Sequence, residues 1–126
     1  MEVNYFGESM LEAQQRLEQI VLGEILIERE SIYKVVSELK TDLFTESKNR
    51  LVCKAILDLF KENTPIDLVS LGQRLIQYKN IEEVGGLSFI SSITEKVVSA
   101  SNLEFHFKVL QENYIRRKIV DSCNEI

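Results

Sequence analysis

One histidine, two cysteines and a few acidic pairs are all that this chain offers to reaction chemistry. His106 could act as a base only beside a nucleophile or a second titratable partner, and no neighbour in the sequence supplies one. Cys53 and Cys123 stand far apart with no second pair, so the spacing that ligates a metal is absent. Both read as small apolar core residues of a reducing compartment. Glu82-Glu83, and Asp58 with Glu62, could be acid/base groups or metal ligands only with a histidine or a third convergent acid; they read as solvated faces. Asp67, following Pro65-Ile66, is accounted for as a helix cap. Gly85-Gly86 lacks a following lysine, so it cradles no phosphate and reads as a helix break. No Gly-x-x-x-x-Gly-Lys-Ser/Thr loop and no Gly-x-Ser-x-Gly elbow occurs. His106 is therefore expected on a helix surface or facing a partner. No catalytic residue, metal site or cofactor site is predicted, and binding is what remains.

Composition narrows the kind of binding. With 126 residues, 44% hydrophobic and 28% charged, the chain has the makeup of one globular domain. A net charge of −5 argues against a general nucleic-acid surface, which needs a basic face to displace counterions from phosphates. Weak DNA binding is expected. Arg116-Arg117-Lys118 is the one tight basic cluster, and it reads as a solvated helix turn. The chain shows no charged-then-apolar leader, and apolar runs such as Ile25-Leu26-Ile27 are too short to span a bilayer. A cytoplasmic location without membrane contact is expected.

The elements that carry these residues are helices. One proline and five glycines leave little room for many turns. Residues 1–10 are expected as a loose tail and 11–126 as the domain. Ser9-Met10-Leu11-Glu12 has the form of a capping box opening a helix to about Ile27. Gly23 inside it costs about 1 kcal/mol against alanine, which predicts close approach of a neighbouring helix. Ser31 is expected to cap a short helix carrying Ile32, Val35, Val36 and Leu39. Leu43-Phe44 reads as a buried anchor. Leu51, Val52, Ala55, Ile56, Leu59 and Phe60 form the stripe of a third helix, ended by Asn63-Thr64-Pro65. Asp67 caps a fourth with Leu68, Leu71 and Leu75. A fifth, with Leu87, Ile90 and Ile93, follows Gly85-Gly86. Ser101-Asn102-Leu103-Glu104 is a second capping-box pattern, opening a last helix toward Ile126. No segment alternates as a strand would. The expected fold is an all-α orthogonal bundle of about six helices.

The last helix carries two apolar faces. Leu103, Phe107, Leu110 and Tyr114 line one. Phe105, Val109, Ile119, Cys123 and Ile126 cluster on roughly the opposite one, flanked by Ile115 and Val120. A surface helix needs only one such stripe. Either this helix is central and buried all round, or its second face meets another protein.

Three phrases carry a resemblance: Pro65-Ile66-Asp67-Leu68-Val69-Ser70-Leu71, then Ile81-Glu82-Glu83-Val84-Gly85-Gly86-Leu87-Ser88-Phe89-Ile90, then Ser99-Ala100-Ser101-Asn102-Leu103-Glu104. Leu17-Glu18-Gln19-Ile20-Val21-Leu22-Gly23 before them and Arg116-Arg117-Lys118-Ile119 after them extend it. In order and spacing the set resembles the N-terminal domain of DnaB-type hexameric replicative DNA helicases. The resemblance implies an assembly and primase-docking module rather than a motor. ATP and Mg would belong to a RecA-like ring beyond a linker, and the chain stops where that linker would start. The last helix would begin a helical hairpin pairing with a neighbouring subunit, as a dimer or within a hexamer. Implied partners are the C-terminal domain of primase and a helicase loader. By the same resemblance Phe89 stands where the family usually has tyrosine, and Val120 and Ile126 fall at the packing and primase-contact end of the last helix. Departures occur at Leu43-Phe44-Thr45, at Asn49 (usually histidine), at His106 (usually tyrosine) and in the Gln15 to Gln19 phrase. They suggest a divergent bacterial, phage or plasmid member. The competing readings are the helicase-binding domain of a primase or another small helical interaction module, and a small stand-alone enzyme.

Overall fold

A computed structural model describes residues 8–124; the rest of the expected tail, 1–7, and Ile126 lie outside the described residues. Helix α1 (Met10–Ile27) starts where Ser9 stops being helical: Ser9 Oγ accepts from the Glu12 backbone N–H at 3.1 Å, the serine half of the anticipated box. Its Val21, Leu22 and Ile25 are buried in the core. Gly23 stands where α4 (Gly86–Glu95) crosses. A Cβ there would lie 2.7 Å from the Ile93 carbonyl oxygen and 2.8 Å from a Val97 methyl, the close approach that the mid-helix glycine predicts. Gly23→Ala should therefore destabilise by about 1–3 kcal/mol through overpacking, outweighing the gain in helix propensity of about 1 kcal/mol. A urea melt measures this, and a variant more stable than wild type would contradict it.

Ser31 corrects one expectation. It does not cap a new α-helix. Its hydroxyl donates toward the carbonyls of Glu24, Ile25 and Glu28 at 3.1, 3.3 and 2.7 Å, closing the C-terminal end of α1. The following segment is a 3₁₀ turn, Ser31–Lys34, and further tight turns. Ile32, Val35 and Leu39 are buried as expected. The β-branched Ile32, Val35 and Val36 have modest helix propensity, so packing rather than helical periodicity shapes the segment. A second 3₁₀ turn, Thr41–Leu43, presents Leu43 and Phe44 to the core as the expected anchor.

Helix α2 (Ser47–Lys61) buries Val52, Cys53, Ala55, Ile56 and Leu59. It ends at Asn63, which takes a left-handed φ of 56° while Thr64 N–H reaches back to the Leu59 carbonyl at 3.0 Å. Helix α3 (Leu68–Gln77) opens with a complete capping box: Asp67 accepts from Ser70 N–H at 2.9 Å and Ser70 Oγ accepts from Asp67 N–H at 3.0 Å. Gly85 and Gly86, with φ of 98° and 79°, make the break before α4. The last helix, α5 (Leu103–Asn124), starts two residues after Ser101. The second capping box does not form, because the Ser101 hydroxyl lies 2.9 Å from that of Ser99.

Among the described residues there are five α-helices, two 3₁₀ turns and no strand. The fold is all-α, and the expected sixth helix is the 3₁₀ segment at Ser31. None of the described helices is long and apolar enough to cross a membrane.

Candidate functional site

The candidate site is built on α5 and on what holds it in place. α1 and α5 run antiparallel. Glu24 meets His106, with Oε1 2.8 Å from Nδ1, and two turns further along Gln14 Oε1 accepts from Asn113 Nδ2 at 2.8 Å. Leu103, Phe107 and Leu110 are buried, and Tyr114 packs against the same core. α1 begins at Met10, which the seam places near Arg117, and every residue from Lys118 to Asn124 is exposed. The last turns of α5 thus stand clear of the body for about 10 Å.

Burial removes one of the two readings: this helix is not buried all round. Phe105 is 66% exposed, Ile119 59% and Val120 52%, and Ile115 and Cys123 are exposed as well. Val109 is half-buried. The second apolar face is not in the core. Cys123, expected inside, stands on this open face, whereas Cys53 is fully buried and its thiol is pushed up to about 12 by desolvation. Phe89 is apart from the α5 face. It lies half-buried on α4 with Lys48 Nζ 4.3 Å above its ring.

His106, expected at the surface or facing a partner, is instead half-buried against Glu24, whose side chain is 2% exposed. Burial raises the Glu24 carboxyl above its ordinary value, and the hydrogen bond and charge of His106 pull it back only in part. A raised folded-state value means that the folded chain binds the proton more tightly than the unfolded chain. The contribution of Glu24 to stability is then fullest below its ordinary value of 4.5 and is lost as pH rises through the raised one. Glu24→Gln cannot titrate. Relative to it, wild type should lose stability across that window, in a pair of urea-melt series. Parallel curves for the two proteins would contradict the assignment.

Glu18 is an acid buried on the apolar stripe of α1. It is completely buried, and its oxygens accept from five donors, none of them a cation. Thr45 contributes N–H at 2.8 Å and Oγ1 at 2.7 Å, Glu46 N–H is at 3.3 Å, Asn49 Nδ2 at 3.0 Å and Gln14 Nε2 at 2.9 Å. Since Gln14 also holds Asn113, a polar chain runs from α5 through α1 to the start of α2. A signal existed: Glu18 lies i, i+3, i+4, i+7 with Val21, Leu22 and Ile25, on the apolar stripe itself.

The acidic pairs do not converge. Asp58 accepts from the Tyr78 hydroxyl at 2.6 Å and stands 3.6 Å from Lys54, and Glu62 pairs with Arg74 at 2.5 Å. They tie α2 to α3 rather than lining an open solvated face. Glu82 and Glu83 are exposed, as expected. Among the described residues no three His, Cys, Asp or Glu side chains are grouped to hold a metal.

The described residues thus form a helical body with its buried and paired carboxylates spent on internal ties and a half-uncovered helix projecting from it. Comparison with known proteins gives it a family: the DnaB-like helicase N-terminal domain profile matches residues 10–112, and the chain belongs to that family. It is 34% identical over 103 residues to replicative DNA helicase DnaB of Rhodothermus marinus, covering 82% of this chain and 11% of that protein. It is 30% identical over 109 residues to replicative DNA helicase DnaC of Bacillus subtilis, covering 86% and 24%. The chain thus spans less than a quarter of the length of these relatives. Its fold is that of the N-terminal domain of DnaB helicase from Mycobacterium tuberculosis, with a TM-score of 0.82 at 26% identity over 86% of this chain and 76% of that one. The N-terminal domain of DnaB helicase from Helicobacter pylori, described together with its interactions with primase, matches with a TM-score of 0.76 at 26% identity, covering 97% and 94%.

Proposed function

We propose that this chain is the assembly and primase-docking module of a replicative DNA helicase, working in the cytoplasm, with nucleotide turnover and strand translocation carried by another part of the parent protein. The observation that carries this reading is the uncovered apolar face of α5, where Ile115, Ile119 and Val120 are each more than half exposed on a helix whose other face is core. Exposed apolar side chains grouped on one element mark an association surface. The matched family and the primase interactions described for the Helicobacter pylori domain indicate which associations to test. α5 would pair with its counterpart in a second subunit, and the resulting surface would meet the C-terminal domain of primase. Phe89, Phe105, Val109, Ile119, Val120 and Cys123 are the contact candidates among the described residues. Weak DNA binding accords with the net charge of −5.

Ile119→Asp tests this. Sedimentation should show weaker self-association, and a pull-down with the C-terminal domain of primase should show reduced capture. Unchanged behaviour in both would remove α5 from the interface.

A further inference from the structure

Helix α3 carries more apolar surface than its packing uses. Leu71 and Leu75 are buried, but Val69 and Ile76 are each more than half exposed and Leu68 more than a third. A surface helix needs only one apolar stripe. On α4, Leu87 is likewise more than half exposed. These four exposed side chains line a hollow of about 350 Å³ between the two helices. Gly72 lets the helices close at its floor, since a Cβ there would stand 2.8 Å from Leu87 Cδ2. Among the described residues only Gln73 and Ser91 bring polar side chains to it. Phe89, also on α4, sits under Lys48 of α2 and takes no part.

The charge around this groove is unbalanced. Between Asp67 and Lys96, Arg74 is paired with Glu62 on α2. The remaining charges are four carboxylates, Asp67, Glu82, Glu83 and Glu95, against two ammonium groups, Lys79 and Lys96. All four carboxylates are exposed, and none enters an ion pair among the described residues. Glu82 and Glu83 lie in the turn that joins α3 to α4, at the Ile76 and Leu87 end of the groove. Asp67 and Glu95 stand at the outer ends of the two helices. Glu95 Oε1 is 3.5 Å from Ser91 Oγ in the groove wall. Lys96 Nζ is drawn to Gln19 of α1, 3.0 Å from its Oε1.

We propose that the α3–α4 groove receives a basic amphipathic helix of a partner protein, its aliphatic side chains against Leu68, Val69, Ile76 and Leu87 and its lysines or arginines toward Glu82, Glu83 and Glu95. This is a second docking surface, apart from the open face of α5. Exposed aliphatic side chains grouped in a groove between two helices fit the apolar stripe of a third. Charge complementarity then selects the occupant. A nucleic acid would bring phosphates to carboxylates and gain nothing from the aliphatic lining. A second copy of this chain would bring the same excess of carboxylates to a two-fold contact on this face. A helix with leucines along one side and lysines beside them matches both the lining and the charge at its ends.

The test is a polarisation titration of the chain with a labelled amphipathic helical peptide carrying Leu at i, i+3, i+4 and i+7 and Lys between them. Its controls are the same peptide with Glu for Lys, and a scrambled peptide of the same composition. The Lys peptide should bind and should weaken with added salt. It should lose about tenfold in affinity against Val69→Ser/Ile76→Ser, and separately against Glu82→Lys/Glu95→Lys. Ile119→Asp should bind it as wild type does. The substituted side chains are exposed, so both double variants should keep their melt and their self-association, and each reads the groove without the other. No binding of the Lys peptide, equal binding of either control, or unchanged affinity in either double variant would each overturn the proposal. Weaker self-association of Val69→Ser/Ile76→Ser in sedimentation would overturn it too, by making a second copy the occupant. These outcomes concern the α3–α4 groove alone; the role of α5 in assembly stands or falls on the Ile119→Asp sedimentation result.

Discussion

Phe107→Asp is expected to abolish the cooperative thermal melt. Phe107 is 4% exposed and sits between Leu103 and Leu110 on the face of α5 that packs against α1. Truncating a buried phenylalanine costs about 3–5 kcal/mol, and placing an unpaired carboxylate there adds several more. A domain of this size has about 5–15 kcal/mol in total. Ile119→Asp, on the projecting part of the same helix, should change stability by about 0.5 kcal/mol or less, because the new charge stays in water. The two changes are chemically alike and stand on one helix, so their contrast reports the face alone. If Ile119→Asp lost its melt as completely as Phe107→Asp, α5 would be covered on both sides, and its open face would not exist in solution.

Glu18→Ala is expected to be nearly as damaging. It removes the acceptor of Thr45 N–H, Thr45 Oγ1, Glu46 N–H and Asn49 Nδ2 and leaves a void beside them. Orphaned buried donors cost about 1–3 kcal/mol each before relaxation and water entry, so a net loss of about 3–5 kcal/mol follows. That is a fall in Tm of more than about 10 °C for a domain of this length. Glu18→Gln separates shape from chemistry. Both carboxylate oxygens accept from donors, so a side-chain NH₂ must face a donor on one side, and a loss should persist in the isosteric variant. A Glu18→Ala melt within about 2 °C of wild type would show that the network contributes little.

Much of this arrangement is legible in the sequence because it is local. Asp67 with Ser70, the Gly85-Gly86 break and the periodicity of α2, with Val52, Ala55, Ile56 and Leu59 buried, depend on neighbours within a turn or two. Gly23 is legible for a different reason: a glycine in mid-helix has a cost that only packing offsets, and Ile93 with Val97 supplies it. What escapes depends on distant partners. Ser31 looks like a helix start, and acts on the carbonyls behind it because α1 ends there. Glu24 looks like a solvent residue until His106 is brought to it, and Glu18, though its place on the apolar stripe marks it as buried, shows nothing of Thr45 and Asn49, which reach it from another part of the chain. His106 gives no sign of its partner, since Glu24 lies 82 residues away. The two faces of α5 are visible as a pattern, but which one is covered depends on where α1 begins.

The overhang of α5 makes it a cantilever. Its root is clamped by the Leu103, Phe107 and Leu110 packing, and its fulcrum lies near the hydrogen bonds of Asn113 to Gln14 and of Arg117 to the Leu43 carbonyl. An α-helix bends little over two turns, so a load on Ile119 or Cys123 is carried to that fulcrum as torque. From there it enters the Gln14–Glu18 linkage and reaches Thr45 and Asn49 at the head of α2. The reaction to a pull on Ile119 or Cys123 is thus shared between these polar contacts and the apolar packing that clamps the root.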